Sequence, residues 1–292
     1  MPRRISEERD MAQPLIYIPT RGRDRQLTLE QLPTSVLKRV VLCVNSDKEE
    51  KERGRDIVAN FGVKDLLVFP RSVDHIAKAW QYIMNLDTKP FFIMDDDLRF
   101  MRRGQRRESG EGFQLPKIVG EKDERYFLDM LAEMNATFSM TGVAMTGLST
   151  RPFCWRTSTN STDFTRHTQV YGYDPRKVAR AGAKFVGNWP LAQSDFHMQL
   201  QLIHAGFVTR CLNLYCSDQA GSGAEGGASL YRTMDALRES ALWLEKTWPQ
   251  VVKAVERETK GSFGGGVRTD VRVSWARAAK LAREEKLIRV YK

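Results

Sequence analysis

The chain has 292 residues, of which 41% are hydrophobic, so it can bury a core of its own as one large domain or two smaller ones. Its formal net charge is +10 at pH 7, which favours a polyanionic partner such as nucleic acid, although a basic face that is merely solvated would give the same charge. The apolar runs are too short for a membrane span and the N-terminus is charged, so we expect no membrane segment, no signal peptide and a cytoplasmic location.

The first hundred residues alternate between short apolar runs and longer helical patterns. This alternation indicates βαβ units on a mostly parallel sheet flanked by helices, which is an α/β fold. Strands are predicted at 14–19, 39–44, 66–69 and 91–94, and helices at 29–38, with a break near Pro33, at 48–61 and at 73–86.

The second half of the chain is predicted to add helix 123–138, strand 142–148, polar loop 149–168, a strand leading into a helix at 171–175, helix 193–205, strand 207–215 and helix 229–247. The Gly-rich stretch 261–266 is predicted to be a hinge before a basic helical segment. We therefore predict a main domain at 1–247, with a donor half at about 14–100 and an acceptor half at about 120–247, and a basic helical C-terminal extension at 248–292. Residues 246–292 contain twelve Lys or Arg against five Asp or Glu.

The chain has four cysteines, which form no CxxC pair and show no metal-ligand spacing: Cys43, Cys154, Cys211 and Cys216. This pattern is typical of a reducing compartment, in which cysteines pack as small apolar groups. A disulfide or a zinc site is the less favoured alternative.

Polar side chains follow all four strands of the first half. The strands end in PTRGR (19–23), NSD (45–47), PR (70–71) and DDD (95–97). In open α/β sheets, ligands bind beyond the carboxyl ends of the strands, so this edge is the predicted site. Neither GxxxxGK[ST] nor GxGxxG follows the first strand, so a nucleotide would be held in another way, with a metal as the obvious candidate.

Three consecutive aspartates, 95–97, follow the fourth strand. On an extended backbone Asp95 and Asp97 project to the same side, where they can bind one hard divalent cation such as Mg²⁺ or Mn²⁺. Such a cation would bind a diphosphate and neutralise the charge on the leaving phosphate. The alternative is a carboxylate cluster that caps the next element or pairs with Arg99 and Arg102, since adjacent like charges need a cation or partner.

Several segments resemble, in order and spacing, the nucleotide-sugar elements of a GT-A glycosyltransferase, whose DxD motif carries the metal: IPTRGR, VNSD, DHIAKAWQYI and FFIMDDDLRF. QSDFHMQLQLIHAGF resembles the acceptor-side motif of that fold, and the resemblance covers about residues 14–232. Through DDDL, SDFHMQLQLIHAG and GGASLYRT, the chain is similar to the glycosyltransferases encoded beside TET/JBP-type dioxygenases, many in phages, which are associated with sugars on hydroxymethylated DNA bases. Ser194 departs from the usual acidic pair, so only Asp195 remains.

The resemblance implies roles for individual residues. Asp195 would be the general base that deprotonates the acceptor hydroxyl, although an acidic residue at a helix start is also favoured by the helix dipole alone. Metal ligands for Mn²⁺ or Mg²⁺ would be Asp97, Asp95 and Asp218. The nucleotide-sugar donor, expected to be a UDP-sugar, would be bound by Pro19, Thr20, Arg21, Arg23, Asn45, Asp47, Arg71, Lys78, Asp95, Asp96, Tyr231 and Arg232.

Histidines and aromatic residues near these motifs have two interpretations. His197 is interpreted as a packing residue rather than a base, and His75 as a satisfied polar group rather than a metal ligand. Four aromatic residues could stack on an extruded base, although aromatic residues are usually core: Trp155, Trp189, Tyr171 and Tyr173.

Charge and resemblance together predict transfer of a sugar to hydroxymethylcytosine or hydroxymethyluracil in DNA, in the host cytoplasm if a phage encodes the chain. Arginines just beyond the acidic motif are predicted to contact the DNA phosphates: Arg102, Arg103, Arg106 and Arg107. Two alternatives stay open: the same fold with a protein or glycan acceptor, and a non-catalytic DNA-binding relic of that fold.

Overall fold

The computed structural model describes residues 13–23, 25–185, 192–219, 233–259 and 266–290. Its elements in the first half are β1 Ile16–Pro19, α1 Leu27–Gln31, α2 Thr34–Leu37, β2 Val40–Val44, α3 Lys48–Phe61, β3 Asp65–Val68, α4 Ile76–Leu86, β4 Phe91–Met94, β5 Leu98–Arg102 and β6 Lys117–Ile118. The predicted strand and helix order is confirmed up to β4, including the break near Pro33, where α1 and α2 are separate helices, whereas β5 and β6 were not predicted.

The second half follows the predicted order with two additions inside the polar loop, α6 and β8. Its elements are α5 Glu124–Thr137, β7 Val143–Thr150, α6 Arg151–Arg156, β8 Ser161–Asp163, β9 Val170–Tyr173, α7 Pro175–Arg180, α8 Ser194–His204, β10 Val208–Gln219, α9 Met234–Thr247, β11 Val252–Thr259, β12 Gly266–Val273 and α10 Trp275–Arg283. In the part of the chain that the structure describes, every helix is too short or too polar to span a bilayer.

One large sheet runs through the described residues in the order β3-β2-β1-β4-β9-β7-β10-β5-β6, with β8 beside β10. The first four strands are parallel, as predicted, and β10 is parallel to β7. β9 is antiparallel to both β4 and β7, so β7 and β10 run in the same direction as β4. The carboxyl ends of these six strands therefore lie at one edge of the sheet.

Helices cover both faces of this sheet, as the continuous apolar strands require. One core contains Ile16 and Ile18 of β1 together with the apolar face of α5, including Phe127. The opposite core contains Tyr17, which alternates with them along the strand, and side chains of α4 and α8, including Trp80. α8 is thus one of the helices that pack against the sheet.

The prediction of a helical C-terminal extension is wrong for its first part. β11 and β12 form an antiparallel hairpin in which Val252 is opposite Val273, and only α10 is helical. The alternation of Val252 and Ala254 with polar residues has the period of a strand, and β-branched residues favour that state. The many basic residues of this segment led to the prediction of a helix, although the alternation of apolar and polar residues has the two-residue period of a strand. Of the predicted hinge at 261–266, residues 261–265 lie outside the described residues, and Gly266 is the first residue of β12.

The hairpin and α10 pack against α8 and α9 through a third apolar core. Leu200 of α8 and Leu244 of α9 lie in this core with Val271 of β12 and Ala278 of α10, all buried. Residues on both sides of the predicted 247/248 boundary share it, because Trp248 is fully buried there. α8 is therefore enclosed between the central sheet and the C-terminal segment.

The four cysteines are all free and buried.

Candidate functional site

The three aspartates form the turn between β4 and β5 at the carboxyl edge of the sheet. The expectation of an extended backbone there is wrong, because the chain must turn to reach β5. Thr28 holds this turn: its N–H donates to the Asp96 carbonyl at 3.1 Å and its hydroxyl donates to the Asp95 carbonyl at 2.6 Å. The same hydroxyl accepts the Leu98 N–H at 2.9 Å. Sequence analysis missed Thr28, which lies 70 residues from Leu98 in the chain.

Asp96 is the most buried of the three aspartates, with 6% of its surface exposed, and Asp97 is also buried, with 8% exposed. The Thr20 hydroxyl donates to Asp96 Oδ2 at 2.6 Å, and Arg23 Nε lies 3.1 Å from Oδ1. Burial raises the pKa of Asp96 to about 6, although the Thr20 hydrogen bond and the Arg23 charge act in the opposite direction. Thr20 and Arg23 were predicted to border the donor, but both contact the acidic turn itself.

Arg23 also pairs with Asp97, whose Oδ2 is 3.0 Å from Arg23 Nη2. The Gln26 amide donates to the Thr20 hydroxyl at 3.2 Å and to the Arg23 carbonyl at 3.1 Å, which fixes the loop after β1. Because buried carboxylates need a counterion, this one guanidinium compensates much of the charge of Asp96 and Asp97. Arg23 is therefore the counterion that Asp96 and Asp97 share.

Other predicted donor residues line the same edge. The Arg21 guanidinium donates to the Asp74 carbonyl at 3.1 Å, and Lys78 Nζ is 3.0 Å from the Asp74 carboxylate, so Asp74 aligns two basic side chains. Glu50 accepts the Gly22 N–H at 3.0 Å. Sequence analysis missed Asp74 and Glu50. The remaining predicted donor residues are Pro19 at the end of β1, half-buried Asn45, and exposed Asp47 and Arg71, whereas Tyr231 and Arg232 lie outside the described residues.

Asp195 lies in the first turn of α8 with its side chain partly exposed. Its Oδ2 accepts a hydrogen bond of 3.4 Å from the Tyr171 hydroxyl on β9. Burial, and then the charges of Asp195 and Asp95, raise the pKa of Tyr171 well above its usual value. The Asp95 N–H donates to the carbonyl of Gln169, two residues before Tyr171, at 2.9 Å, so the acidic turn and the start of α8 both contact the chain at β9.

Two aromatic residues proposed to stack on a base are core residues instead. Tyr171 and Tyr173 are 4% and 1% exposed and pack with Trp80 and Phe185. Strand β9 lies in the middle of the sheet with neighbours on both sides, which buries these rings. Trp189 lies outside the described residues.

His197 is a packing residue, as predicted. It is fully buried and its Nδ1 accepts a 3.0 Å hydrogen bond from the Trp248 indole N–H. Burial, and then the Arg289 charge, lower the pKa of His197 to about 3. The imidazole is therefore neutral, and it connects α8 to the residue that follows α9.

The three predicted metal ligands are not assembled in the described ranges, where no three His, Cys, Asp or Glu residues form a group that could hold a metal. Asp218 lies opposite Arg99 in the β10–β5 ladder, and its Oδ2 is 3.2 Å from Arg151 Nη1. Asp95 and Asp97 still fit Mg²⁺ or Mn²⁺, because such ions are often held by one or two carboxylates with phosphates and waters. A turn with three carboxylates and one guanidinium retains negative charge for such a cation.

The arginine cluster begins farther from the acidic turn than expected. β5 pairs antiparallel with β10 from Leu98 to Arg102, so Arg102 lies about 13 Å along the strand from Leu98 at about 3.3 Å per residue. The Arg102 guanidinium lies over the Tyr126 ring, 4.4 Å from its centroid. Arg102 therefore lies a strand length from the acidic turn, and contact of this cluster with DNA phosphates stays a prediction.

Arg103 is held by the loop before β8. Its guanidinium donates to the carbonyls of Thr157 and Thr159 and to the Asn160 side chain, at 2.7, 2.8 and 2.6 Å. These hydrogen bonds occupy much of its donor capacity, so Arg103 stabilises this loop. Arg106 and Arg107 are exposed.

A mostly parallel α/β sheet with a buried acidic turn at its carboxyl edge, near a helix-borne carboxylate, is the arrangement that the resemblance to the GT-A glycosyltransferases implied. A family model for the TET-associated glycosyltransferases matches residues 15–227, and the chain belongs to this family. The predicted family and enzyme class are confirmed.

Solved structures also match, among them two of S. aureus TarS. The crystal structure of S. aureus TarS 1-349 has 8% identity and a TM-score of 0.45, and the same protein in complex with UDP has 10% and 0.43. Each match covers 79% of this chain and 64% of that chain, so this chain spans less than two thirds of those structures. No curated protein matches.

Proposed function

We propose that this glycosyltransferase moves a sugar from a nucleotide-sugar donor to the hydroxyl of a hydroxymethylated pyrimidine in DNA, with Mn²⁺ or Mg²⁺ at the donor side. The observation that carries the proposal is the approach of the acidic turn and Asp195 at β9, in a chain of the TET-associated family. A donor-side acidic centre beside an acceptor-side carboxylate suits glycosyl transfer, because the first can hold a cation for the leaving diphosphate and the second can take the acceptor proton.

The donor would lie along the carboxyl edge of β1 to β4. Asp95 and Asp97 would hold the cation, which when bound would neutralise charge on the departing diphosphate. Arg21 and Lys78, both aligned by Asp74, would face the phosphates. The loop after β1, fixed by Gln26, would border the nucleoside.

The acceptor hydroxyl would be activated by Asp195. As general base it takes the hydroxyl proton while the oxygen attacks the anomeric carbon, a contribution of typically ~10²- to 10⁴-fold. The Tyr171 hydroxyl, which donates to Oδ2 at 3.4 Å, would hold the carboxylate in one orientation toward the acceptor. His197 is unsuited to this role, because it is buried and neutral.

A DNA acceptor agrees with the charge of the chain. The net charge of +10 supplies an attraction for phosphate that a neutral small acceptor does not need. Exposed arginines beyond the donor half include Arg106, Arg107 and Arg156. Each of these can neutralise a phosphate and release its counterion.

The test is to incubate the protein with Mn²⁺ or Mg²⁺, a panel of nucleotide sugars, and DNA containing hydroxymethylcytosine, hydroxymethyluracil or neither, and then to analyse digested nucleosides by mass spectrometry. We expect a hexose or pentose mass added only to the hydroxymethylated base, and only with active protein rather than Asp97→Asn. If sugar is transferred to a protein or glycan hydroxyl and none to DNA, the acceptor is a protein or a glycan, and the proposal of a DNA acceptor is wrong. DNA binding without any donor turnover would favour a non-catalytic role.

A further inference from the structure

The short helix α6 displays an exposed aromatic side chain at the carboxyl edge. Phe153 is 49% exposed, and no other Phe, Tyr or Trp in the described part of the chain is as exposed. Exposure of an apolar ring to water is unfavourable in free energy. A ligand that covers the Phe153 ring would remove this surface from water and so gain binding free energy.

α6 lies beside the candidate site. It begins directly after β7, whose last residue, Thr150, is paired with Ser217. Arg151 then contacts Asp218, the residue opposite Arg99 on β5. Because β7 and β5 flank β10, the start of α6 lies about two strand spacings, roughly 10 Å, from the start of β5, which follows the acidic turn.

Positive charge surrounds Phe153. Arg151, two residues before it, is 62% exposed, and Arg156, three residues after it, is also exposed. The Arg156 Nε donates to the Pro152 carbonyl at 3.1 Å, which holds the guanidinium at the end of the helix. An apolar ring between two cations matches a nucleic acid, whose bases stack and whose phosphates are anionic.

α6 is anchored firmly enough to act as a rigid element. Cys154 is fully buried and its thiol donates to the Asn213 carbonyl at 3.2 Å. Trp155 packs against Gly112, where a Cβ would lie 2.4 Å from the indole, and the Phe113 N–H donates to the Trp155 carbonyl at 2.9 Å. The residues beside Phe153 are therefore fixed while Phe153 itself faces solvent.

We propose that α6 opens the DNA duplex: Phe153 inserts at the position of the target base and supports its extrusion toward Asp195, while Arg151 and Arg156 contact flanking phosphates. The inference rests on the proposed function, because it assumes a DNA acceptor. A hydroxymethyl group on a stacked base must approach an anomeric carbon inside a site, and an apolar wedge stabilises the gap that extrusion leaves.

The first test compares Phe153→Ala and Phe153→Leu with Leu242→Ala, a matched control because Leu242 on α9 is 47% exposed. Each variant is assayed on three acceptors: a duplex, the same duplex with an abasic site opposite the target, and the single strand. We expect Phe153→Ala to lose about tenfold or more on the duplex and little on the other two, with Leu at that position partly restoring activity. Equal loss on all three acceptors, or no loss on the duplex, would overturn the proposal.

A second measurement needs no catalysis. A duplex with 2-aminopurine beside the target position reports base unstacking when wild type or Phe153→Ala binds. We expect fluorescence to rise with wild type and the control and not with Phe153→Ala. If the wild type transfers no sugar to any DNA, the proposed function fails, and this measurement still decides whether Phe153 opens a duplex.

The arginines are tested separately by Arg156→Gln, with Arg125→Gln on the exposed face of α5 as control. We expect Arg156→Gln to reduce the slope of log affinity against log salt by about 0.9 on duplex DNA, and Arg125→Gln to leave it unchanged. Equal slopes for both variants would remove Arg156 from the DNA contact.

Discussion

The donor-side turn and the acceptor-side helix α6 differ in the burial and pairing of their charged side chains. At the turn, Asp96 and Asp97 are buried and share the guanidinium of Arg23, within 3.1 and 3.0 Å. On α6, Arg151 pairs with Asp218, but Arg156 has no carboxylate within ion-pair distance among the described residues, and the helix also exposes Phe153. Arg23 thus compensates part of the negative charge on the donor side, whereas the acceptor side leaves the charge of Arg156 and an apolar ring for a partner.

This difference predicts that substitutions in the acidic turn affect folding, whereas substitutions on α6 affect binding. Removing one member of a compensated buried group leaves its partner unpaired, so both stability and activity change. Removing an exposed, uncompensated group takes away only contacts to a ligand. Variants on the two sides should therefore separate by their effect on thermal unfolding.

The largest expected effect is that of Asp97→Asn on transfer. The amide keeps the shape but loses the charge that would hold the cation, and we expect a loss of about 10³-fold or more, since such a cation contributes several kcal/mol. Single-turnover transfer with titrated Mn²⁺ measures it. Wild-type turnover in the presence of EDTA would contradict the metal-dependent proposal.

Asp195→Asn should reduce the chemical step by about 10²- to 10⁴-fold with donor affinity unchanged, because the base acts only on the acceptor proton. Donor affinity by calorimetry beside single-turnover rates separates the two effects. A large loss of donor affinity at an unchanged rate would assign Asp195 to the donor pocket.

Arg23→Gln should lower the free energy of unfolding by about 3 kcal/mol, because it leaves two buried carboxylates without their guanidinium. Arg25→Gln is the matched control, since Arg25 pairs with Glu30 at the surface and should change stability little. Urea unfolding of both variants decides the comparison. Equal unfolding midpoints would mean that the acidic turn does not depend on Arg23.

Tyr171→Phe should lower kcat about tenfold without changing the KM for donor, because the lost hydrogen bond to Asp195 orients a charged group. Tyr173→Phe is the control, since it removes a hydroxyl from the same buried strand and keeps the hydrogen bond to Asp195. If both variants lose the same activity, the effect belongs to core packing.

The smallest effect is expected from the C-terminal segment. Deleting it would expose α8, because β12 and α10 share its core, so charge is better removed by Arg272→Gln, Arg277→Gln and Lys280→Gln, all at exposed positions. If these residues contact phosphates, the salt slope falls by about 0.9 for each lost contact. An unchanged slope with an unchanged melting temperature would confine DNA contacts to the main domain.

The sequence by itself determined the alternation of strands and helices in the first hundred residues, the polar ends of four strands and the family. These features are encoded locally, since apolar period and strand length need only neighbouring residues. The packing interpretation of His197 also followed from sequence. The C-terminal hairpin carried a local signal too, the alternation around Val252, but its basic composition outweighed that signal.

Only the tertiary structure decided which side chains meet. Thr20 and Asp96 are 76 residues apart, and Tyr171 reaches Asp195 from another element. The tertiary structure also placed Arg102 a strand length from the acidic turn and brought the buried Asp96 and Asp97 to the guanidinium of Arg23. Strand order sets these contacts, and strand order depends on how whole apolar faces pack, which no local pattern in the chain specifies.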